Sequence, residues 1–214
     1  MLKSLDQNNF NHSIWHNSKN FSQDKIKDFL KFMKTYCIFD LETTGLNPET
    51  DYIIEIAALR IKDNQIESQF SSFVGLPKDI SNPESLLEQI RPITGISYEM
   101  IKNAPDWSIV DLEFRKFVTR PLFVGYNVTF DIKFLKRYSK LWTTVYYIDI
   151  LEIVNEIFAN KLTRFSQKHV LDYLDIQYSV AHRALADVEN LWQIIQKLQE
   201  SYGVNIYDYM KKFE

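Results

Sequence analysis

At residues 36–45 the chain carries the stretch Tyr36-Cys37-Ile38-Phe39-Asp40-Leu41-Glu42-Thr43-Thr44-Gly45. A short apolar run that ends in turn-forming residues is typical of a buried strand followed by a loop. Side chains alternate between the two faces of a strand, so Asp40 and Glu42 should emerge together on one face. Adjacent carboxylates repel each other, and a hard divalent cation with oxygen ligands suits both of them. An isolated Asp-x-Glu is more often a strand end that faces solvent, so the pair needs further acids to indicate a site.

The rest of the chain predicts a mixed sheet. Two further strands are predicted at residues 52–61 and 66–74, joined by a turn at residues 62–64, which makes an antiparallel meander. A strand, a helix and another strand are then predicted at residues 122–125, 129–138 and 144–150. Strands that first pair antiparallel and later alternate with helices favour an α/β fold, in which helices cover both faces of the sheet.

Two more acids are candidates for the same site. Asp131 is predicted where a strand ends and a helix begins, and there it could also be an ordinary N-terminal helix charge. Asp187 heads a helical row continued by Leu191 and Ile194, so it should face inward, where a carboxylate must be paired, hydrogen-bonded or metal-bound. His182 is five residues earlier, about 140° away on one continuous helix. It can face the same site as Asp187 only from the loop that precedes the helix.

The N-terminal part of the chain differs from the remainder. Residues 1–21 have no sustained periodicity, whereas residues 23–34 carry apolar side chains at helical spacing. We therefore expect a leader with an amphipathic helix over residues 1–34 and a catalytic-type domain over residues 35–214. The helix either packs on that domain or docks a partner.

Composition narrows the class of protein. The chain is 45% hydrophobic, and no apolar run approaches the roughly 18 to 20 residues of a membrane span. Its single cysteine, Cys37, and the absence of a secretory signal predict a cytoplasmic location. A formal net charge of -3 argues against nonspecific coating of DNA, but not against a nuclease, because metal ions held by carboxylates can supply positive charge locally.

Three ordered motifs resemble those of the DnaQ-like (DEDDh) exonucleases, and they are Asp40-Leu41-Glu42-Thr43-Thr44-Gly45-Leu46, Asn127-Val128-Thr129-Phe130-Asp131 and His182-Arg183-Ala184-Leu185-Ala186-Asp187. Two stretches between them, Ile53-Ile54-Glu55-Ile56-Ala57 and Ile93-Thr94-Gly95-Ile96, are similar as well. The resemblance implies an RNase H-like fold with a mixed five-stranded sheet flanked by helices. It also implies that Asp40, Glu42, Asp131 and Asp187 hold two divalent ions, Mg²⁺ or Mn²⁺, and that His182 is the general base.

The same resemblance implies a substrate and a role. Thr43, Leu46, Ile96 and Asn127 match positions that contact the terminal nucleotide, whereas Tyr126 stands where many relatives have histidine. We expect a 3'-5' exonuclease that acts on single-stranded or frayed DNA 3' ends, in the proofreading branch that includes the epsilon subunit of bacterial DNA polymerase III, with a polymerase subunit as partner. The alternatives are a 3'-5' exoribonuclease, such as an oligoribonuclease or an RNase T-like trimming enzyme, and a subunit that acts chiefly by binding a polymerase.

Overall fold

The structure, a computed structural model, describes residue 25 and residues 34–118, 122–178 and 183–213. Residues 34–214 form one compact unit. The predicted leader and its helix lie outside the described residues, apart from Lys25 and Lys34. The division of the chain at residues 34 and 35 therefore stays a prediction.

The described part of the chain contains a six-stranded mixed sheet. Its strands are β1 (Thr35–Thr43), β2 (Ile53–Lys62), β3 (Gln65–Phe73), β4 (Leu122–Gly125), β5 (Val145–Asp149) and β6 (Lys211–Phe213). They lie in the order β3-β2-β1-β4-β5-β6. The pairs β1–β2, β2–β3 and β5–β6 are antiparallel, and β1–β4 and β4–β5 are parallel. The predicted meander and the later parallel strands are therefore confirmed, and they place β1 at the centre of the sheet.

The predicted strand count of five was wrong by one. The additional strand, β6, has only three residues and pairs with β5 through Val145 opposite Phe213 and Tyr147 opposite Lys211. Two of its residues are lysines, so it lacks the apolar alternation by which a strand is recognised in sequence. Its register is set by its pairing with β5, a distant segment of the chain, so local sequence preference does not predict this contact.

Helices occupy most of the remaining described residues. They are α1 (Pro83–Thr94), α2 (Tyr98–Ile101), α3 (Trp107–Phe117), α4 (Thr129–Tyr138), α5 (Ile150–Phe158), α6 (Gln167–Tyr173) and α7 (Ala184–Tyr202), with a 3-10 helix at Ile206–Tyr209. Among the described residues, we find no helix that combines the length and the apolar character needed to cross a bilayer.

The two faces of β1 are covered by different helices. Phe39 and Leu41 belong to a buried cluster with Phe114 of α3 and Leu135 of α4. Helix α7 packs on β1 and β2. Because side chains alternate along a strand, the face of Asp40 is opposite that of Phe39. The prediction of helices on both faces of the sheet is thus confirmed.

Helices α7 and α3 bury their apolar side chains to different extents. In α7, Leu191, Ile194 and Leu198 are buried, as the row headed by Asp187 requires. In α3, by contrast, the apolar residues Ile109 and Leu112 are 51% and 45% exposed. The buried side of α3 instead includes Val110 and Phe114, which pack against the aromatic side chains of the sheet.

Candidate active site

Strand β1 delivers two carboxylates to one face of the sheet. Asp40 lies opposite Ala57 and Glu42 lies opposite Glu55 in the antiparallel register with β2. Both acids are half-buried, whereas the intervening Leu41 is buried in the core of the other face. The register becomes irregular immediately after Glu42. The acids therefore lie near the end of a central strand, where it opens into the following loop.

Helix α7 brings a third carboxylate to the same place. Asp187 lies in the first turn of α7, and its backbone N–H donates to the carbonyl of Arg183 at 3.1 Å. Carboxylate oxygens of Asp40, Glu42 and Asp187 all lie within 4.8 Å of one another. Oxygen atoms at this spacing suit a hard divalent cation, which takes carboxylates among its ligands. The group is therefore a candidate metal centre assembled from residues far apart in sequence.

Asp131 lies beside this group and not within it. It is buried in the first turn of α4, and its Oδ1 accepts a hydrogen bond from the backbone N–H of Leu41 at 3.2 Å. That bond fixes the start of α4 to the strand segment between Asp40 and Glu42. The structure thus brings all the predicted acidic ligands to one region, with Asp131 outside the 4.8 Å group.

The electrostatics of the cluster oppose full ionisation. Burial raises the pKa of Asp40 well above its ordinary value, and the charges of Asp131 and Asp187 raise it further. Burial, followed by the charges of Asp187 and Glu55, raises the pKa of Glu42 to about 8, and Arg183 acts in the opposite direction. These acids therefore favour either protons or a cation at neutral pH.

The pKa of Asp131 is also raised. Burial is the main cause, and it outweighs the hydrogen bonds from the backbone N–H groups of Asp131 and Leu41, which lower the pKa. All the candidate ligands are carboxylate oxygens, and their surroundings disfavour the charged form unless a cation is present. Such a set fits Mg²⁺ or Mn²⁺ better than a soft metal. The residues present therefore fit a divalent metal centre.

The predicted nucleotide-contacting residues have contrasting environments. Thr43 is half-buried, and its hydroxyl donates to the carbonyl of Gly45 at 2.7 Å, whereas Leu46 is 84% exposed on the same loop. Asn127 is exposed, has a left-handed φ of 60°, and donates its backbone N–H to Asp149 at 2.8 Å. Thr43 thus ends β1, and Leu46 lies on the loop that follows this strand.

Ile96 has a different environment. Its side chain is fully buried in a cluster with Ile54, Leu87 and Ile101. Its near neighbour Ile93 is instead 65% exposed. In the structure this side chain packs beneath the surface. Contact between Ile96 and a nucleotide therefore stays a prediction.

His182 lies outside the described residues. The first described residue after it, Arg183, has an extended backbone, and α7 begins at Ala184. The predicted loop position of His182 therefore stays a prediction. The role of His182 as general base stays a prediction.

The family of the chain follows from comparison with known proteins. The family model for exonucleases of the RNase T type matches residues 37–195, which include all four acids. The chain belongs to this exonuclease family. The PolC-type DNA polymerase III of Staphylococcus haemolyticus is 37% identical over 173 residues, which are 77% of this chain and 11% of that protein. The chain therefore spans only about a ninth of the length of that relative.

Solved structures of exonucleases share the fold. E. coli exonuclease I in complex with a dA16 oligonucleotide aligns with a TM-score of 0.67 and 20% identity, over 82% of this chain and 42% of that chain. The nuclease domain of 3'hExo, a DEDDh family member bound to rAMP, aligns with a TM-score of 0.64 and 18% identity, over 79% and 94% of the two chains. The predicted RNase H-like fold and the resemblance to DEDDh exonucleases are confirmed.

Sequence reasoning assigned no role to three residues beside the acids of this exonuclease fold. Glu55 is 1% exposed and bonds Arg183, although the two are 128 positions apart. Asp149 is buried, and its Oδ1 accepts from the backbone N–H groups of Asn127 and Leu151. A glutamate within the apolar run of residues 53–57 was the available signal for Glu55. An aspartate at a strand-to-helix junction was the signal for Asp149.

Proposed function

We propose that this chain is a metal-dependent 3'-5' exonuclease that hydrolyses phosphodiester bonds at DNA 3' ends. The observation that carries the proposal is the convergence of Asp40, Glu42 and Asp187 within 4.8 Å on the face of the sheet that α7 covers. A half-buried set of acids that repel one another lowers the stability of the fold, and such sets are found where function requires them. Binding of a divalent ion would relieve the repulsion, and this gives a reason for the presence of the acid cluster.

Asp40, Glu42, Asp131 and Asp187 would hold two divalent ions, Mg²⁺ or Mn²⁺. When bound, such a pair of ions would supply the Lewis acidity that activates a water for attack on phosphorus and stabilises the leaving 3' oxygen. The protein's part is to fix the ligands, since Asp131 is bonded to the backbone of Leu41. His182 accepts the proton of the attacking water, because an imidazole pKa near neutrality suits a general base at working pH.

The substrate end is a single-stranded or frayed DNA 3' terminus. Leu46 is almost fully exposed on the loop that follows β1 and can pack on a terminal base, while Thr43, Ile96 and Asn127 shape the surroundings. The polymerase named for the relative, and the oligonucleotide in complex with exonuclease I, support DNA as the substrate. The rAMP bound to 3'hExo keeps RNA as the rival substrate to be tested.

The biological role we propose is proofreading in DNA replication, with a DNA polymerase subunit as partner. The similarity to a PolC-type polymerase supports this role. A cytoplasmic location, predicted from the sequence, fits it and stays a prediction.

The test uses matched 5'-labelled single-stranded DNA, mispaired duplex DNA and RNA, each with Mg²⁺ and with chelator. We expect ladders shortened from the 3' end of DNA, fastest on single-stranded and mispaired ends, and no products with chelator. Faster cleavage of RNA than of DNA would replace the DNA assignment with the exoribonuclease alternative. Cleavage that persists in chelator would refute the metal-dependent mechanism.

Variants connect the activity to the site. Asp40→Asn and Asp187→Asn remove one ligand charge each, and we expect cleavage to fall at least 1,000-fold, because loss of one ligand disables the whole metal centre. The matched control is Glu200→Gln, which changes an exposed acid near the far end of the same helix, α7. Normal cleavage by either aspartate variant would refute the metal-ligand assignment.

A further inference from the structure

A further acid, which is not among the four predicted ligands, lies against the metal-ligand cluster on the neighbouring strand. Glu55 of β2 is directly opposite Glu42 of β1 in the antiparallel register. Side chains of residues directly opposite each other lie on the same face, and like charges there are destabilising. Glu55 is nevertheless only 1% exposed. A buried carboxylate in this position requires strong compensation, and the structure provides it from the start of α7.

Arg183 supplies the compensation, and its guanidinium group uses both its N–H edge and its flat face. Its Nε donates to Oε1 and Oε2 of Glu55 at 3.2 Å each, and its Nη2 donates to Oε1 at 2.9 Å. The guanidinium also lies over the ring of Phe73 at 4.8 Å from the centroid. Phe73 of β3 is opposite Glu55 in the sheet. Arg183 is therefore held by two adjacent strands, which fixes its position in a way that one point contact would not.

Glu55 also binds the first residue of the helix itself. Its Oε2 accepts from the backbone N–H of Ala184 at 3.2 Å. The first N–H groups of a helix have no intrahelical acceptor, and a carboxylate there is favoured by the helix dipole. Arg183, at the N-cap position, makes no capping bond with its own side chain. Glu55 thus caps α7 from another strand.

The anchored residues determine where Asp187 points. Asp187 is three residues after Ala184, so it lies on the same side of α7, one turn along. Its backbone N–H bonds the carbonyl of Arg183 at 3.1 Å, which links Asp187 to the anchored end. A rotation or slide of this first turn would carry the Asp187 carboxylate away from Asp40 and Glu42.

We propose that Glu55 and Arg183 form a positioning pair that fixes the first turn of α7 against the sheet, so that Asp187 meets Asp40 and Glu42 at metal-binding distance. The proposal rests on the proposed function, because it assigns the pair a role in metal binding and turnover. Neither residue is a metal ligand in this assignment. The pair acts through the position of Asp187.

The experiment must separate positioning from ordinary stabilisation, and the chain offers a matched control. Asp111 and Arg115 form another pair between a buried carboxylate and a partly exposed arginine, with Nε to Oδ2 at 2.9 Å. They lie on α3, which packs on the opposite face of the sheet from the acids. Arg115→Gln should therefore lower stability without changing the geometry of the metal ligands.

The variants are Glu55→Gln, Arg183→Gln, the Glu55→Gln/Arg183→Gln double variant and Arg115→Gln. Each is measured for Mn²⁺ affinity by titration calorimetry, for kcat and KM on 5'-labelled single-stranded DNA, and for unfolding by urea in chelator. We expect Arg183→Gln to weaken Mn²⁺ binding and lower kcat about 10- to 100-fold with KM nearly unchanged, as is usual for residues that orient metal ligands.

The double variant tests whether the two charges act as a pair, because the direction of its stability change relative to Arg183→Gln can be predicted. Arg183→Gln leaves the Glu55 charge buried without its partner, which is more damaging than removing both charges. The double variant should therefore be more stable in urea than Arg183→Gln and should recover part of its Mn²⁺ affinity. Arg183→Lys, which retains charge but not the two-pronged contact, should fall between wild type and Arg183→Gln.

The outcomes are distinguishable. Wild-type Mn²⁺ affinity and kcat in Glu55→Gln and Arg183→Gln would overturn the positioning pair and leave the exonuclease proposal intact. An equal loss of Mn²⁺ affinity in Arg115→Gln would also overturn it, because general destabilisation would then explain the effect. Failure of the wild-type protein to bind Mn²⁺ and to cleave DNA would overturn the proposed function, and the positioning role with it.

Discussion

Replacing Asp40 by asparagine should stabilise the metal-free protein while removing its response to metal. Asparagine has nearly the same shape as aspartate, so packing on β1 is preserved and only the charge is lost. The pKa of Asp40 is raised by burial and by four neighbouring acids, of which Asp131 contributes most. The native fold therefore disfavours the charged form of this carboxylate more than water does. A neutral side chain at this position should make the metal-free protein more stable.

The size of the effect follows from the separation of the charges. Oxygens of Asp40, Glu42 and Asp187 lie within 4.8 Å of one another. Two unit charges at that distance repel by roughly 3.5 kcal/mol at an effective dielectric constant of about 20. Proton uptake relieves part of this repulsion near neutral pH. We therefore expect Asp40→Asn to raise the free energy of unfolding by about 1–3 kcal/mol in chelator, or the Tm by about 3–10 °C for a chain of this size.

The assay is thermal and urea unfolding, followed by circular dichroism at pH 7.5 in chelator and in Mn²⁺. Wild type should gain stability on addition of Mn²⁺, because a ligand that binds only the native state stabilises it. Asp40→Asn should start higher in chelator and gain little from Mn²⁺. Glu200→Gln, at an exposed acid near the far end of α7, should behave like wild type in both conditions. A lower Tm for Asp40→Asn in chelator, or an undiminished gain in Mn²⁺, would refute the charge-repulsion reasoning.

Three further predictions concern stability. Because folding raises the pKa of Glu42 from 4.5 to about 8, the native metal-free protein retains a proton that the unfolded chain has released; urea unfolding should show stability falling as pH rises from about 4.5 to 8, and Mn²⁺ should remove most of that fall. Asp149→Ala removes the side-chain acceptor for the backbone N–H groups of Asn127 and Leu151 and should lower the free energy of unfolding by about 1–3 kcal/mol, whereas Asp149→Asn should retain much of it. Gly203→Ala should cost about 1 kcal/mol in the same measurement, because Gly203 ends α7 with a left-handed φ of 67°, and an effect near zero would contradict this strain argument.

The sequence offers these acids as candidates because each is tied to a local pattern. Asp40 and Glu42 follow from strand alternation, and the inward direction of Asp187 follows from the buried row of α7. These patterns depend on residues a few positions apart, so a single sequence contains them. Their convergence in space was predictable only through the order of the motifs, and the structure brings three of the acids within 4.8 Å.

What the sequence could not predict depends on contacts between distant segments. Glu55 lies in an apolar run, and nothing local indicates that Arg183 is its partner. Strand β6 forms because the edge of β5 is free to pair with it, although Lys211 and Lys212 have no strand pattern of their own. The exposure of Ile109 and Leu112 also depends on distant contacts, since the orientation of α3 is set by aromatic packing on the sheet.

The position of the acids on β1 explains how one fold can contain a self-repelling cluster. β1 is central in the sheet, paired with β2 on one side and β4 on the other. The face opposite Asp40 and Glu42 carries the buried aromatic cluster of Phe39, Phe114 and Phe123. Well-packed aromatic side chains contribute much of a domain's stability, so the strand that bears the repulsion is also among the most firmly held. Without such support, repulsion among acids a few ångströms apart would be relieved by movement of the strand, and the ligands would no longer be in place for a metal ion. The repulsion among the acids lowers the stability of the fold, and the aromatic packing on the opposite face of β1 offsets this loss. Such an arrangement is expected where function requires an unfavourable cluster of charges.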